Sequence, residues 1–199
     1  MFDVQRITDK VWEILEEHRN TPHVEFEFRL GRYNGKFFDT NVGKEKWDAI
    51  MAGLDQYPGF ENVYVTNTDS YYNDEHKIRL SVSGETGEQA MIQKNLVVNE
   101  DFIQQNSPLD LRLGVSLETP VSGQYEMDRK VVKQRKSFVR KNLSIDMTIA
   151  SGVTQDLDSE DPYTYQIELE ICRPQVIECP YELFNLVHKV NDVLKIISV

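Results

Sequence analysis

The sequence predicts a mainly β fold with flanking α-helices: an eight-stranded antiparallel barrel, closed on itself, with the helices outside. Three observations predict it. Between residue 60 and about 173 the apolar residues recur with period two, and turn signals break the run into strands. Helical periodicity is confined to short stretches near the two ends. No strand–helix alternation separates the strands, which argues against a doubly wound parallel sheet, and closing an antiparallel sheet removes its exposed edges.

Residues 4–19 read as an amphipathic helix, with Val4, Ile7, Val11, Ile14 and Leu15 on one stripe and Trp12 beside it. Thr21-Pro22 stops it, because the residue before proline is pushed out of the α region. The opening strand follows as Val24-Glu25-Phe26-Glu27-Phe28-Arg29-Leu30-Gly31. Successive strand side chains point to opposite sides, so Val24, Phe26, Phe28 and Leu30 take one face and Glu25, Glu27 and Arg29 the other. Tyr33-Asn34-Gly35-Lys36 reads as a tight turn. A second helix spans 44–57, with Trp47, Ile50, Met51 and Leu54 on its stripe, and Tyr57-Pro58-Gly59 ends it.

Further strands are expected at 61–73, 75–83, 89–98, 109–118, 128–140, 143–149 and 163–173. Ser83-Gly84-Glu85-Thr86-Gly87, Asn106-Ser107-Pro108, Thr119-Pro120 and Ser122-Gly123 divide them. The acidic stretch from Ser151 to Pro162 reads as a mobile surface loop. Pro180 opens the last helix, where its missing N–H costs nothing, and Leu183, Phe184, Val187, Val190, Val193, Leu194 and Ile197 form its apolar face. No internal boundary divides the chain, so residues 1–199 are expected to form one domain.

Composition narrows the function. The chain is 40% hydrophobic and 28% charged, a soluble globular profile. No apolar run approaches the ~18 residues that span a bilayer, and the first residues carry no signal-peptide pattern. Cys172 and Cys179 are too few for a disulfide framework or a zinc site, so reduced thiols and an intracellular protein without a membrane partner are expected. His18, His23, His76 and His188 show no ligand spacing. The net charge of −11 opposes broad electrostatic binding of nucleic acid, but it permits a small anion held at a local basic cluster or through a metal ion.

The polar strand faces carry the chemistry. Glu25 and Glu27 stand about 7 Å apart along one face, and a near-copy recurs late in Tyr165-Gln166-Ile167-Glu168-Leu169-Glu170-Ile171. Between them, Arg79 lies with Lys77 and Ser81, Arg112 with Asp110 and Glu118, Lys133 with Arg135 and Ser137, and Asp146 with Ser144 and Thr148. A lumen lined with carboxylates and bases suits a divalent cation bridged to a polyphosphate. Hard oxygen ligands select Mg²⁺ or Mn²⁺, and Arg and Lys neutralise phosphate oxygens.

Glu25-x-Glu27-x-Arg29-x-Gly31, Ile145-Asp146-Met147-Thr148 and Ile167-Glu168-Leu169-Glu170 resemble the triphosphate tunnel metalloenzymes. More closely, they resemble the metal-dependent RNA 5′-triphosphatases of fungal, protozoan and large-DNA-virus mRNA capping. The resemblance runs from about residue 24 to 173. It implies a triphosphate tunnel domain that removes the γ-phosphate from 5′-triphosphate RNA, the first step of capping, with metal-dependent NTP hydrolysis beside it. It implies that Glu25, Glu27 and Glu170 bind Mg²⁺ or Mn²⁺, with Glu168 and Asp146 holding it through water. Arg79, Lys94, Lys133 and Arg135 would grip phosphate, and Glu118 would orient or deprotonate the attacking water. Asp69 matches an acidic position before Arg79. Gln166 stands where the fungal enzymes carry glutamate, and Ser144 where a base is common; Lys141, Arg140 or Arg112 is the candidate to supply that phosphate-binding base.

The resemblance further implies an mRNA guanylyltransferase as partner, since the chain has no Lys-x-Asp-Gly motif. It implies a nucleus or a viral replication compartment in the cytoplasm as location. The alternatives are a tunnel-family tripolyphosphatase or thiamine triphosphatase, and a non-catalytic metal- or anion-binding barrel.

Overall fold

The computed structural model describes residues 1–152 and 161–198. The chain begins with helix α1 (Val4–His18), whose first turn is capped by the Asp3 carboxylate accepting from the Arg6 N–H at 3.1 Å. Strand β1 (Val24–Tyr33) leads through a hairpin to a two-residue strand β2 (Phe38–Asp39), and helix α2 (Lys44–Gln56) follows. Then come β3 (Asn62–Asn73), β4 (Ile78–Ser83), β5 (Gln89–Phe102), β6 (Asp110–Pro120), β7 (Arg129–Arg140), β8 (Leu143–Ser151) and β9 (Tyr163–Ile171). A 3₁₀ turn at Pro174–Val176 precedes helix α3 (Pro180–Lys195). The expected loop between β8 and β9 lies, from 153 to 160, outside the described residues.

The sheet runs β1-β6-β5-β4-β3-β7-β8-β9, and β9 pairs back onto β1, so eight strands close into a barrel. Every pairing is antiparallel. The short β2 is added to β1 outside the ring. A Cβ at Gly31 would collide with the Asp39 carbonyl and the Phe38 ring, so the glycine ending the opening motif lets β2 cross close to β1.

Closure turns one face of each strand to the lumen and the other outward. Phe26, Phe28 and Leu30 of β1, Leu111, Leu113 and Val115 of β6, and Ile167, Leu169 and Ile171 of β9 point outward into the hydrophobic core. Leu15 of α1, Ile50 of α2 and Leu183, Val187 and Leu194 of α3 cover them. The core therefore lies between the barrel wall and its helices, and the lumen is left to polar side chains. On the outer side of β3, Val63 and Val65 are exposed. No helix among the described residues is long and apolar enough to cross a membrane.

A bulge interrupts β5 between Leu96 and Val98. It moves Val98 to the outer side, against Val115, while Lys94 stays on the inner side against Glu118. Unbroken alternation over 89–98 puts Val98 on the face of Lys94; the extra residue is the reason it is not there.

Candidate active site

Cross-strand register lines up the polar faces. Glu27 faces Glu170 and Arg29 faces Glu168 across the β1–β9 seam. Asp146 faces Glu168, Ser144 faces Glu170, and Thr148 faces Arg135. On the other side of β1, Glu25 faces Ser116, and Lys94 faces Glu118. Partners directly opposite in a ladder point to the same side of the sheet, so these residues share the lumen.

Their ion pairs form one linked chain. Arg79 Nη2 lies 3.0 Å from Glu118 Oε2, and Lys94 Nζ lies 2.9 Å from Glu118 Oε1. Lys94 also bonds Glu25 and comes to 3.8 Å from Glu27 Oε1. Ser116 donates its hydroxyl to Glu25 at 2.9 Å. Arg29 bonds Glu27 and reaches Glu168 at 3.2 Å. Arg135 completes the run, donating to Glu168 at 3.0 Å, Asp146 at 2.9 Å and the Thr148 hydroxyl at 3.0 Å. Ser144 fixes the remaining Asp146 oxygen at 2.6 Å.

Burial and crowding split the carboxylates into two groups. Burial lifts the Glu27 carboxyl to about 8, with Glu168 repelling it and Arg29 opposing the rise. Burial likewise lifts Glu170 to about 7, helped by Glu25 and Asp146 and opposed by Arg135. Burial acts against Glu168 too, but Arg29 and Arg135 outweigh it and hold that carboxyl below the usual range. Glu118 is treated the same way: burial raises it, and Arg79 with Lys94 bring it down. Lys94 is raised despite burial, because Glu27, Glu25 and Glu118 surround its ammonium.

Three features mark binding capacity that the described residues do not satisfy. No ion pair is formed by Glu170 among the described residues, although carboxylates surround it. Arg79 Nε is a buried donor with no acceptor among the described residues. Lys133 pairs with no carboxylate among the described residues either, and its ammonium lies 5.7 Å from the centre of the Tyr72 ring.

The expected metal ligands Glu25, Glu27 and Glu170 thus share the lumen, with Glu168 and Asp146 beside them. Among the described residues no three acidic, His or Cys side chains converge into a ready-made metal-ligand set. The Lys94 ammonium stands instead between Glu25, Glu27 and Glu118. The donors nevertheless fit a hard divalent cation in kind. They are carboxylate oxygens, and burial together with neighbouring carboxylates raises two of the carboxyls, Glu27 and Glu170, to about 8 and about 7.

Other expected residues stand apart. Arg112 points inward but is gripped by Asp101 through bonds of 2.6 and 2.8 Å, and its guanidinium packs 4.7 Å from the Phe38 ring centre. Asp69 faces outward, where Lys130 pairs with it at 2.6 Å; Thr68, Ser70 and Tyr72 hold the inner positions of β3. Arg140 and Lys141 are exposed. The tunnel wall also uses hydroxyls to which the sequence assigned no role: Ser116, Ser144 and Thr148. Their signal was parity, since each lies two residues from an acidic lumen residue.

The family described as mRNA capping enzyme, beta chain, matches residues 35–192. That span starts after β1, so it omits Glu25 and Glu27. The 5′RNA triphosphatase A449R of Paramecium bursaria Chlorella virus 1 is 28% identical over 201 residues, covering 94% of this chain and 89% of that protein. The mRNA-capping enzyme subunit beta of Candida albicans is 28% identical over 161 residues, 68% of this chain and 31% of that protein. Among solved structures, the S. pombe Pct1 RNA triphosphatase has the same fold, with a TM-score of 0.77 at 19% identity over 96% of this chain and 92% of that one. The Mimivirus capping enzyme triphosphatase gives a TM-score of 0.62 at 15% identity over 96% of this chain and 97% of that one. With its tunnel, its charged lumen and a family match over most of its length, the chain belongs to the mRNA capping enzyme beta-chain family.

Proposed function

We propose that the chain is an RNA 5′-triphosphatase, which hydrolyses the γ-phosphate from triphosphate-ended RNA in the first step of mRNA capping. The observation that carries this reading is Glu170: a carboxyl pushed up to about 7, with no ion pair among the described residues, facing Glu27 in a lumen where Glu25, Glu27, Glu118, Asp146 and Glu168 are each paired with a base. The names of the viral and fungal relatives support the substrate.

Glu25, Glu27 and Glu170 would hold a divalent cation directly, with Glu168 and Asp146 reaching it through water. Mg²⁺ and Mn²⁺ are the ions that suit such oxygen donors. When bound, the cation supplies Lewis-acid polarisation of the γ-phosphate. Every other task falls to the chain. Arg79, Lys94, Lys133 and Arg135 neutralise the phosphate oxygens where charge develops. Among the described residues the buried Arg79 Nε has no acceptor and the Lys133 ammonium has no carboxylate partner. Arg29 is occupied by Glu27 and Glu168 and acts as a brace that keeps the metal-side carboxylates oriented.

Glu118 is held ionised by Arg79 and Lys94. A carboxylate kept that acidic is a weak proton acceptor near neutral pH, where a base is most effective with a pKa close to 7. It orients the attacking water as a hydrogen-bond acceptor. Little more is needed, since phosphoryl transfer depends on positioning and charge more than on proton abstraction.

A guanylyltransferase acting on the diphosphate end is the partner class this reading implies; the Candida relative's name as a subunit supports a companion chain. The nucleus or a viral replication compartment would be the location. Incubation with γ-labelled triphosphate RNA and Mg²⁺ or Mn²⁺ tests the proposal. Release of labelled phosphate is expected, and no release with either ion would refute it. Tripolyphosphate cleaved far faster than RNA would instead place the chain with the tripolyphosphatases.

A further inference from the structure

Tyr72 is the direct cross-strand partner of Arg79 on one side and of Arg129 on the other. The Arg129 guanidinium lies 4.1 Å from the centre of the Tyr72 ring. Asp74 holds it there through bonds of 3.0 and 3.1 Å. Burial opposes ionisation of the Tyr72 phenol, yet Lys133, Arg79 and Arg129 together bring its pKa below the ordinary value. One cavity of about 230 Å³ is lined both by Lys94 and Arg79 and by Tyr72, Asn73, Asp74 and Lys77. Open space therefore connects two phosphate-binding cations to an aromatic ring that the hydrolysis itself does not use.

The chemistry of a triphosphate RNA end says what belongs there. Beyond the α-phosphate come a ribose and a base. A base offers a flat π face, which stacks on aromatic rings and on guanidinium planes. Because Asp74 already fixes Arg129, little side-chain freedom is lost when a base docks. Lys77 adds a cation at the same end of the cavity, in a chain whose net charge is −11.

We propose that this cavity holds the first nucleoside of the RNA, its base stacked against Tyr72, whose ring Arg129 backs, and its phosphates directed to Arg79 and Lys94. The inference rests on the RNA triphosphatase reading and adds a substrate-positioning residue to it. Stacking tolerates any base, so the site favours a nucleotide end over bare polyphosphate rather than one base over another.

The test compares wild type, Tyr72→Ala and Tyr72→Phe on two substrates, with thermal melts confirming that each variant folds. One substrate is 5′-triphosphate RNA; the other is the same RNA with an abasic first residue. Wild type should show a KM about tenfold lower for the base-bearing RNA. Tyr72→Ala should erase that gap while kcat changes by less than about threefold. Tyr72→Phe keeps the ring and should keep the gap. Equal KM values for the two RNAs in wild type would overturn the inference. So would a Tyr72→Ala variant that weakens both substrates alike and preserves the gap, for then the ring only supports Lys133. Failure of wild type to release phosphate from either RNA is a separate result; it removes the RNA reading and this inference with it.

Discussion

Glu27 of the first barrel strand and Glu170 of the last face each other directly across the seam that closes the tunnel. Burial lifts their carboxyls to about 8 and about 7. In the folded protein both keep protons at a pH where the unfolded chain has released them. Folding then takes up protons between the ordinary carboxylate range and about 7 to 8, so their contribution to stability is full at low pH and is lost as pH rises. Glu168 and Glu118 shift the other way, and their effect falls below that window. In the presence of a chelator, the melting temperature should drop from about pH 5 to about pH 8, and excess Mn²⁺ should reverse the drop at the upper end. A melting temperature at neutral pH that ignores Mn²⁺ would count heavily against the metal site.

Removing any of the three carboxylates proposed to hold the metal directly should separate activity from folding. Glu25→Ala, Glu27→Ala and Glu170→Ala are each expected to cut phosphate release by at least about 100-fold, with the far-ultraviolet circular dichroism of the barrel retained. Near-wild-type turnover in one of them would mean the metal is held elsewhere. At about pH 8, where Glu170 is ionised, Glu170→Gln removes a repelling charge and should raise the chelated protein's melting temperature while abolishing its response to Mn²⁺.

Glu118→Gln tests orientation against proton abstraction. The amide still accepts a hydrogen bond through its carbonyl but loses the charge that pairs Arg79 and Lys94. A fall in kcat of roughly 100-fold, with little change in the slope of the pH–rate profile between about pH 6 and about pH 8, is expected for an orienting role. Loss of a titrating limb from that profile would show instead that Glu118 is the base.

Arg29 should matter first for stability. Arg29→Ala strips the buried Glu27 and Glu168 carboxylates of their shared cation, and breaking a pair of this kind costs roughly 3 kcal/mol. Urea denaturation measures it. A loss much below that would show that Lys94 and Arg135 already neutralise the two carboxylates.

How much was legible depends on the distance over which each feature is decided. The helices at 4–19 and 44–57 appear within a residue of their expected ends, and the strands carrying Glu25, Arg79, Glu118, Arg135, Asp146 and Glu170 all form where the alternation put them. Asp69 faces outward rather than into the lumen because β3 carries polar and aromatic residues on both faces and its exposed outer side imposes no apolar row. Arg112 is a candidate for the base that Ser144 replaces; alternation ends the strand at 98, but β5 continues to Phe102 and brings Asp101 opposite Arg112.

The sequence by itself determined the strand faces, the outer apolar core and the set of charged residues that share the lumen. Alternation is local, because every peptide unit turns the next side chain to the other side. Only the tertiary structure decided which charges meet. Closure of β9 onto β1, the bulge in β5 and the register of each ladder set Arg29 between Glu27 and Glu168, set Lys94 among three glutamates and left Glu170 without a partner among the described residues. Those relationships join strands far apart along the chain, and electrostatic energy depends on separation in space, which no local pattern records.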